Sequence, residues 1–195
     1  MLEVDYDITK DLEDFFNMDN KFKVEYGESI ENVPKSIAVI PFVSNVLPII
    51  WLTDSKLEID ELDKNYYDSI QNTKETFQKI YPNASFKGNI AVKKIIDNQN
   101  SKDEKENCSV FFSGGIDSVS TLVSVIDKKP LLITIWGTDV WDHNTDGWKS
   151  LKELALDYSK QLNLKNLFIK TNFRKFIYEH VLTEKLLKGV IDDSW

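Results

Sequence analysis

The chain has 195 residues, enough for one good core or for one domain with a small accessory unit, and at 42% apolar and 29% charged it has a globular composition. Its 32 acidic against 24 basic residues leave a net charge of −8, which disfavours nucleic acid as a partner. The single cysteine, Cys108, excludes an intrachain disulfide and any Cys-x-x-Cys metal site, and reads as a small apolar packing residue.

The first twenty residues carry seven acids and one lysine, the reverse of a secretory signal. The most apolar stretch, residues 37–52, is interrupted by Pro41, Ser44, Asn45 and Pro48 and is too short to span a bilayer. The expectation is a cytoplasmic protein with no membrane contact. Strands are expected at 22–26, 37–42, 48–52 and 86–94, by alternation or by continuous β-branched runs, with the two prolines ending or bending the middle pair. Residues 37–52 also admit a reading as the wall of an acceptor pocket, but apolar runs mostly mark core. Between the strands, Leu62, Tyr66, Ile70, Phe77 and Ile80 share a helical face, with Asp60 as N-cap and Pro82 just past the end. Residues 1–100 thus read as a small α/β unit without a recognisable motif.

Residues 97–107 are eleven positions without one apolar side chain, an exposed loop or linker. A second domain is expected over 106–195. It opens with a strand at 110–112 and a helix burying Ile116, Val119, Leu122, Val123 and Ile126. A continuously apolar strand follows at 131–136, then a helix marked by Leu151, Leu154, Ala155, Tyr158 and Leu162, a strand at 166–170 and a helix at 173–188. The alternation argues for βαβ units and a parallel sheet.

Between the first strand and helix of this domain runs Ser113-Gly-Gly-Ile-Asp-Ser118. Two glycines let a backbone pass close to an anion, while the unpaired N–H groups and positive dipole end of the helix attract it. Asp117 suits a metal, because a carboxylate beside a polyphosphate repels it unless Mg²⁺ bridges the two. A chance Gly-Gly turn before a helix is the alternative. The string is no Walker A loop, since the Gly-Lys-Ser/Thr ending is missing.

Ser113, Gly114, Gly115, Asp117 and Ser118 match all five fixed positions of Ser-Gly-Gly-X-Asp-Ser, and the chain here resembles the N-type ATP pyrophosphatases. That family includes asparagine, GMP and NAD synthetases and the deazaguanine nitrile synthases. The resemblance covers about a third of the chain, residues 108–172. It implies a Rossmann-like, HUP-type three-layer fold and cleavage of ATP to AMP and pyrophosphate. The reaction would adenylylate a small-molecule carboxylate or amide oxygen, which ammonia or an amine then displaces. Carried over by position, Ser113, Ser118 and the backbone of Gly114, Gly115, Ile116 and Asp117 hold pyrophosphate, and Asp117 binds Mg²⁺, with Asp117 and Ser118 as the catalytic pair. Trp136-Gly-Thr-Asp139 receives the adenosine: Gly137 permits close approach, Trp136 stacks or packs beneath the base, and Asp139 meets ribose or acceptor. A strand-end turn with solvated acids is the alternative for this stretch.

Asp139, Asp142, His143 and Asp146 match no ligand spacing, and His180 reads as a surface residue. One strand cysteine argues against the thiolating chemistry of some relatives. With no amino-terminal glutaminase cysteine, ammonia would come from a partner or from solution, and a homodimer is a further possibility. Family members add two strands beyond the first, giving the order 3-2-1-4-5, whereas this chain stops at Trp195. Strand 110–112 is too apolar for a free edge. The expected covers are a continuation of the native gene, strands from residues 20–94, or a second chain. A sugar amidotransferase is one variant of the enzyme reading, and a non-catalytic nucleotide-binding module or truncated fragment is the alternative.

Overall fold

The computed structural model describes residues 1–19, 21–98 and 108–186. In chain order the elements are β1 (Leu2–Val4), β2 (Phe22–Tyr26), α1 (Lys35–Ala38), α2 (Ile40–Leu52), β3 (Lys56–Asp63), α3 (Lys64–Ile80), β4 (Asn89–Ile96), β5 (Ser109–Phe111), α4 (Ile116–Ser124), β6 (Leu131–Trp136), α5 (Thr145–Leu162), β7 (Asn166–Thr171), α6 (Phe173–Phe176) and α7 (Glu179–Leu186), with two short 3₁₀ turns at Lys10–Phe15 and Ile126–Lys128. The protein is α/β. Its described residues form two compact units that interleave along the chain: residues 1–3, 22–30 and 108–174 in one, and residues 4–19, 21, 31–98 and 175–186 in the other.

The first unit holds a five-stranded sheet of order β1-β2-β7-β6-β5. β5, β6 and β7 are parallel, with Val110 opposite Leu132 and Ile135 opposite Ile169. The crossovers run through α4 and α5, whose Leu122 and Ala155 join Val110, Phe112 and Leu132 in one buried cluster. β2 runs antiparallel to β7, so the sheet is mixed and not all parallel as expected. The N-terminal strands therefore add beside β7, not beside β5. Among the described residues no strand pairs with the outer edge of β5. Alternation explains how the strand stays mostly covered: Val110 and Phe112 turn into the cluster, while Phe111 is 69% exposed.

The expected burial along α4 is partly met: Leu122 is buried and Val119 and Ile126 pack against its cluster, whereas Ile116 is 85% and Val123 66% exposed. The expected helix 173–188 is interrupted: the Phe176 carbonyl accepts from the Asn17 N–H and the Tyr178 N–H donates to the Phe15 carbonyl, so Ile177 bridges to Phe16 instead of continuing a helix. Residues 187 and 188 lie outside the described residues.

In the second unit the expected strands 37–42 and 48–52 are helix, α1 and α2. Pro41 sits in the first turn of α2, where a missing N–H costs nothing. Pro48 is tolerated inside it, at the loss of one backbone bond. From Val46 to Leu52 nearly every residue is buried, so the segment lacks the polar face by which a helix is read. β3 was not expected, and it pairs in parallel with β4 through the crossover α3. The N-cap of α3 is Asp63 and not Asp60. Its Oδ1 accepts from the Tyr66 N–H at 3.0 Å and its Oδ2 from the Asn98 amide at 2.9 Å. The same amide donates to Ser36 Oγ at 3.1 Å, which ties the end of β4 to α1. Of the expected linker, residues 99–107 lie outside the described residues. Among the described residues no helix is long and apolar enough to cross a membrane.

The Asn98 amide and then the Tyr66 N–H hold the Asp63 carboxyl below the usual carboxylate range. A depressed pKa stabilises above the unfolded-state value and ceases to do so as pH falls through the folded one. Asp63→Ala is expected to cost about 1 kcal/mol near neutral pH, read from urea unfolding. The gap from the parent should narrow as pH drops below about 4; a gap that does not change with pH contradicts the assignment.

Candidate functional site

Because β5, β6 and β7 are parallel, their carboxyl ends lie along one edge of the sheet, and there the chain carries residues 113–118, 137–144 and 172–174. Such an edge is where open α/β sheets take ligands.

The first of these segments is anchored before it begins. The Phe112 N–H donates to the Ile133 carbonyl at 2.8 Å, and the buried Thr134 hydroxyl donates to the Phe112 carbonyl at 3.0 Å. The Phe112 ring lies 5.1 Å from that of Tyr158 on α5. With Phe112 fully satisfied, the chain leaves the sheet at Ser113, which is exposed. Gly114 follows at φ +77°, in the left-handed region that glycine occupies without strain. A Cβ there would lie 2.4 Å from Leu154 Cδ2 of α5.

Gly115 is the N-cap of α4 at φ −74° and ψ 164°, and no side chain caps the helix. The N–H groups of the first turn have no intrahelical partners. Ile116 and Asp117 are exposed in that turn, and the Ser118 hydroxyl donates to the Gly115 carbonyl at 2.9 Å. From Cys108 to Asp127 the chain has no lysine or arginine. An anion held here would meet backbone donors, the helix dipole and hydroxyls, with Asp117 as the one nearby charge in the segment. That donor set fits a polyphosphate with Mg²⁺ and does not fit a bare one.

The second segment is differently built. Trp136 ends β6 with its ring stacked on Trp148 of α5, 5.4 Å between centroids and 3° from parallel. The Lys170 ammonium lies 4.9 Å from the centre of the same ring, and the indole N–H donates to the Trp141 carbonyl. Gly137, at φ +103°, is buried, and a Cβ would come within 1.8 Å of the Thr171 carbonyl oxygen. The close approach that Gly137 permits is therefore to β7. Asp139 is exposed.

Arg174 donates to the Thr138 carbonyl at 2.7 Å and lies over the Trp141 ring. Arg174 and Lys170 are the cations of this edge that sequence reasoning missed. Their signal was positional: both sit at or just after the carboxyl end of β7. Of the acidic loop, His143 Nδ1 lies 3.8 Å from Asp142, and among the described residues no three His, Cys, Asp or Glu side chains gather as a metal would require. His180 is exposed.

Compared with known proteins, the chain matches no family model, no curated protein sequence and no solved structure.

The two glycines should differ when replaced. Gly137→Ala meets backbone and is expected to cost about 3 kcal/mol. Gly114→Ala meets only the end of a leucine and bears mainly the left-handed penalty, about 1 kcal/mol. Denaturant midpoints of the two variants check this, and equal losses would contradict it.

Proposed function

We propose that the chain binds the triphosphate of ATP with Mg²⁺ at residues 113–118 and cleaves it to AMP and pyrophosphate, adenylylating a small-molecule carboxylate or amide oxygen that ammonia or an amine then attacks. The observation that carries the reading is the strand, left-handed Gly114 and uncapped α4 in direct succession, with Asp117 and Ser118 in the first turn. On this reading β5 to β7 with α4 and α5 are the core of a Rossmann-like, HUP-type fold. The N–H groups of residues 115–118 orient the β- and γ-phosphates, and Ser113 adds a hydroxyl donor; Ser118 adds a second once its hydroxyl turns away from the Gly115 carbonyl to which it donates. The Asp117 carboxylate holds Mg²⁺, which when bound neutralises the leaving pyrophosphate. Positioning and charge neutralisation supply the catalysis, because the chain adds no covalent chemistry of its own. The acceptor is small, since a net charge of −8 works against a polynucleotide.

A second reading, a nucleotide-binding module without transfer, draws on Gly137 and Trp136. The carbonyl of Thr171 takes the approach that Gly137 opens, and Trp148 stacks on one face of Trp136. In this reading the triphosphate is held, and the adenosine side of the site is not built for chemistry.

Asp117 is exposed, so Asp117→Ala should keep the fold. In calorimetry the parent is expected to bind ATP only with Mg²⁺, and the variant to lose that dependence together with at least about tenfold in affinity, a change of about 1.4 kcal/mol. Equal affinity in both would sink the assignment. Incubation with ATP and candidate acceptors then separates the readings: AMP and pyrophosphate indicate transfer, and ATP bound but unchanged indicates the module.

A further inference from the structure

The loop at residues 113–118 has few donors besides its own backbone. No lysine or arginine lies between residues 108 and 127, and the Ser118 hydroxyl is turned to the Gly115 carbonyl. Further donors to a polyphosphate would come from a neighbouring element, and α5 is an element that reaches the loop.

Two contacts set the register of α5 against this stretch. The Tyr158 ring lies 5.1 Å from that of Phe112, and Leu154 occupies the place that a Cβ on Gly114 would need. From Tyr158 to Leu154 the helix climbs one turn, about 6 Å. From Phe112 to Gly114 two residues of extended chain span about the same distance, roughly 6.6 Å. As the crossover between parallel β6 and β7, α5 runs back against the strands, so its numbering falls as that of the loop rises. Residues 145–153, the part of α5 before Leu154, therefore stand about 13 Å beyond Gly114. Because α4 and α5 share one buried cluster through Leu122 and Ala155, that projecting part is a wall beside the start of α4.

The side of the wall that faces the loop follows from the helical repeat. At about 100° per residue, Gly147 and Ser150 lie within about 40° of Leu154 around the axis, whereas Lys149 and Lys152 lie about 140° or more away. Leu151 turns toward the side of Ala155, which is fully buried. Gly147 has no side chain, so beyond Leu154 the wall presents Ser150. That residue is exposed, and its hydroxyl makes no hydrogen bond among the described residues. The hydroxyls of Ser118, Thr121 and Ser124 on α4 are by contrast turned back to carbonyls of their own helix. Contact with water alone accounts for an exposed serine. What separates Ser150 is its place, one turn above the residue that touches Gly114, at the height of a phosphate whose oxygens lie about 3 Å from the first N–H groups of α4.

We infer that Ser150 is a ligand-contacting residue of this site, its hydroxyl donating to a non-bridging oxygen of the pyrophosphate portion held by residues 115–118. The inference rests on the reading of residues 113–118 as a polyphosphate site and adds α5 as its second wall.

The test is calorimetric titration of the full chain with magnesium pyrophosphate, comparing the parent with Ser150→Ala and Ser150→Thr. A hydrogen bond to a charged oxygen is among the stronger ones, so Ser150→Ala should weaken binding at least about fivefold. Ser150→Thr, which keeps the hydroxyl, should stay within about twofold of the parent. Alanine is the better helix former, so the thermal midpoint of Ser150→Ala should not fall, and a merely structural role for Ser150 would leave binding unchanged. Equal affinity of Ser150→Ala and the parent overturns the inference and leaves the loop reading standing. A threonine variant as weak as the alanine one overturns it too, since shape and not the hydroxyl would then matter. Absence of saturable binding by the parent overturns the loop reading and the inference together.

Discussion

The buried hydrogen bond from Thr134 to the carbonyl of Phe112 is the constraint on which the candidate site rests. Among the described residues β5 has one neighbouring strand, and its three residues alone would hold its end weakly. Thr134 and Ile133 satisfy both backbone groups of the next residue, Phe112, and the cluster with Leu122 and Ala155 buries its ring. The chain can therefore leave the sheet within one residue. The left-handed turn at Gly114 and the uncapped start of α4 then follow at a defined place and direction. Thr134 is β-branched and nearly inaccessible, at 1% exposed, so its rotamer is held and its hydroxyl has no competing water.

The same principle of close backbone approach operates at Gly137, where it closes the end of β6 onto Thr171. Two glycines at the carboxyl ends of adjacent parallel strands thus do different work. At Gly114 the nearest obstacle is the end of a leucine, and the conformation is the constraint. At Gly137 the obstacle is a backbone carbonyl. Trp136 is likewise engaged, stacked on Trp148 with Lys170 over its ring, so this aromatic patch gives rigidity to the edge beside the loop.

Much of the sheet unit was legible because its signals are local. The alternation at 22–26, the continuous apolar run before Trp136 and the glycine pair before Ile116 each depend on a few neighbouring residues. The burial of α4 was misread because the helix ends at Ser124 and presents Val123 outward, and periodicity does not say which flank of a stripe the core takes. Residues 37–52 read as strands because a helix buried on most sides has no polar face, and Pro41 and Pro48 read as ends or bends of strands when one of them starts the helix. β3 has a weak local signal, because glutamate and aspartate, which are depleted in strands, fill its outward positions, although Leu57 and Ile59 alternate with them. The placement of β2 beside β7 joins residues far apart in sequence, and no local pattern specifies it. Within the loop, residue types and order were legible; what occupies the approach at Gly137, and the cations Lys170 and Arg174, required the fold.

The central claim is that the backbone of residues 114–118 is an anion site. Amide resonances of these residues, followed by NMR as magnesium pyrophosphate is added to the full chain, test it without relying on turnover. The account predicts saturable shifts and slowed exchange centred on Gly114, Gly115, Ile116, Asp117 and Ser118, with little change at the Gly137 amide, which already donates to the Val140 carbonyl. Shifts confined to other segments, or none at saturating concentration, would contradict it.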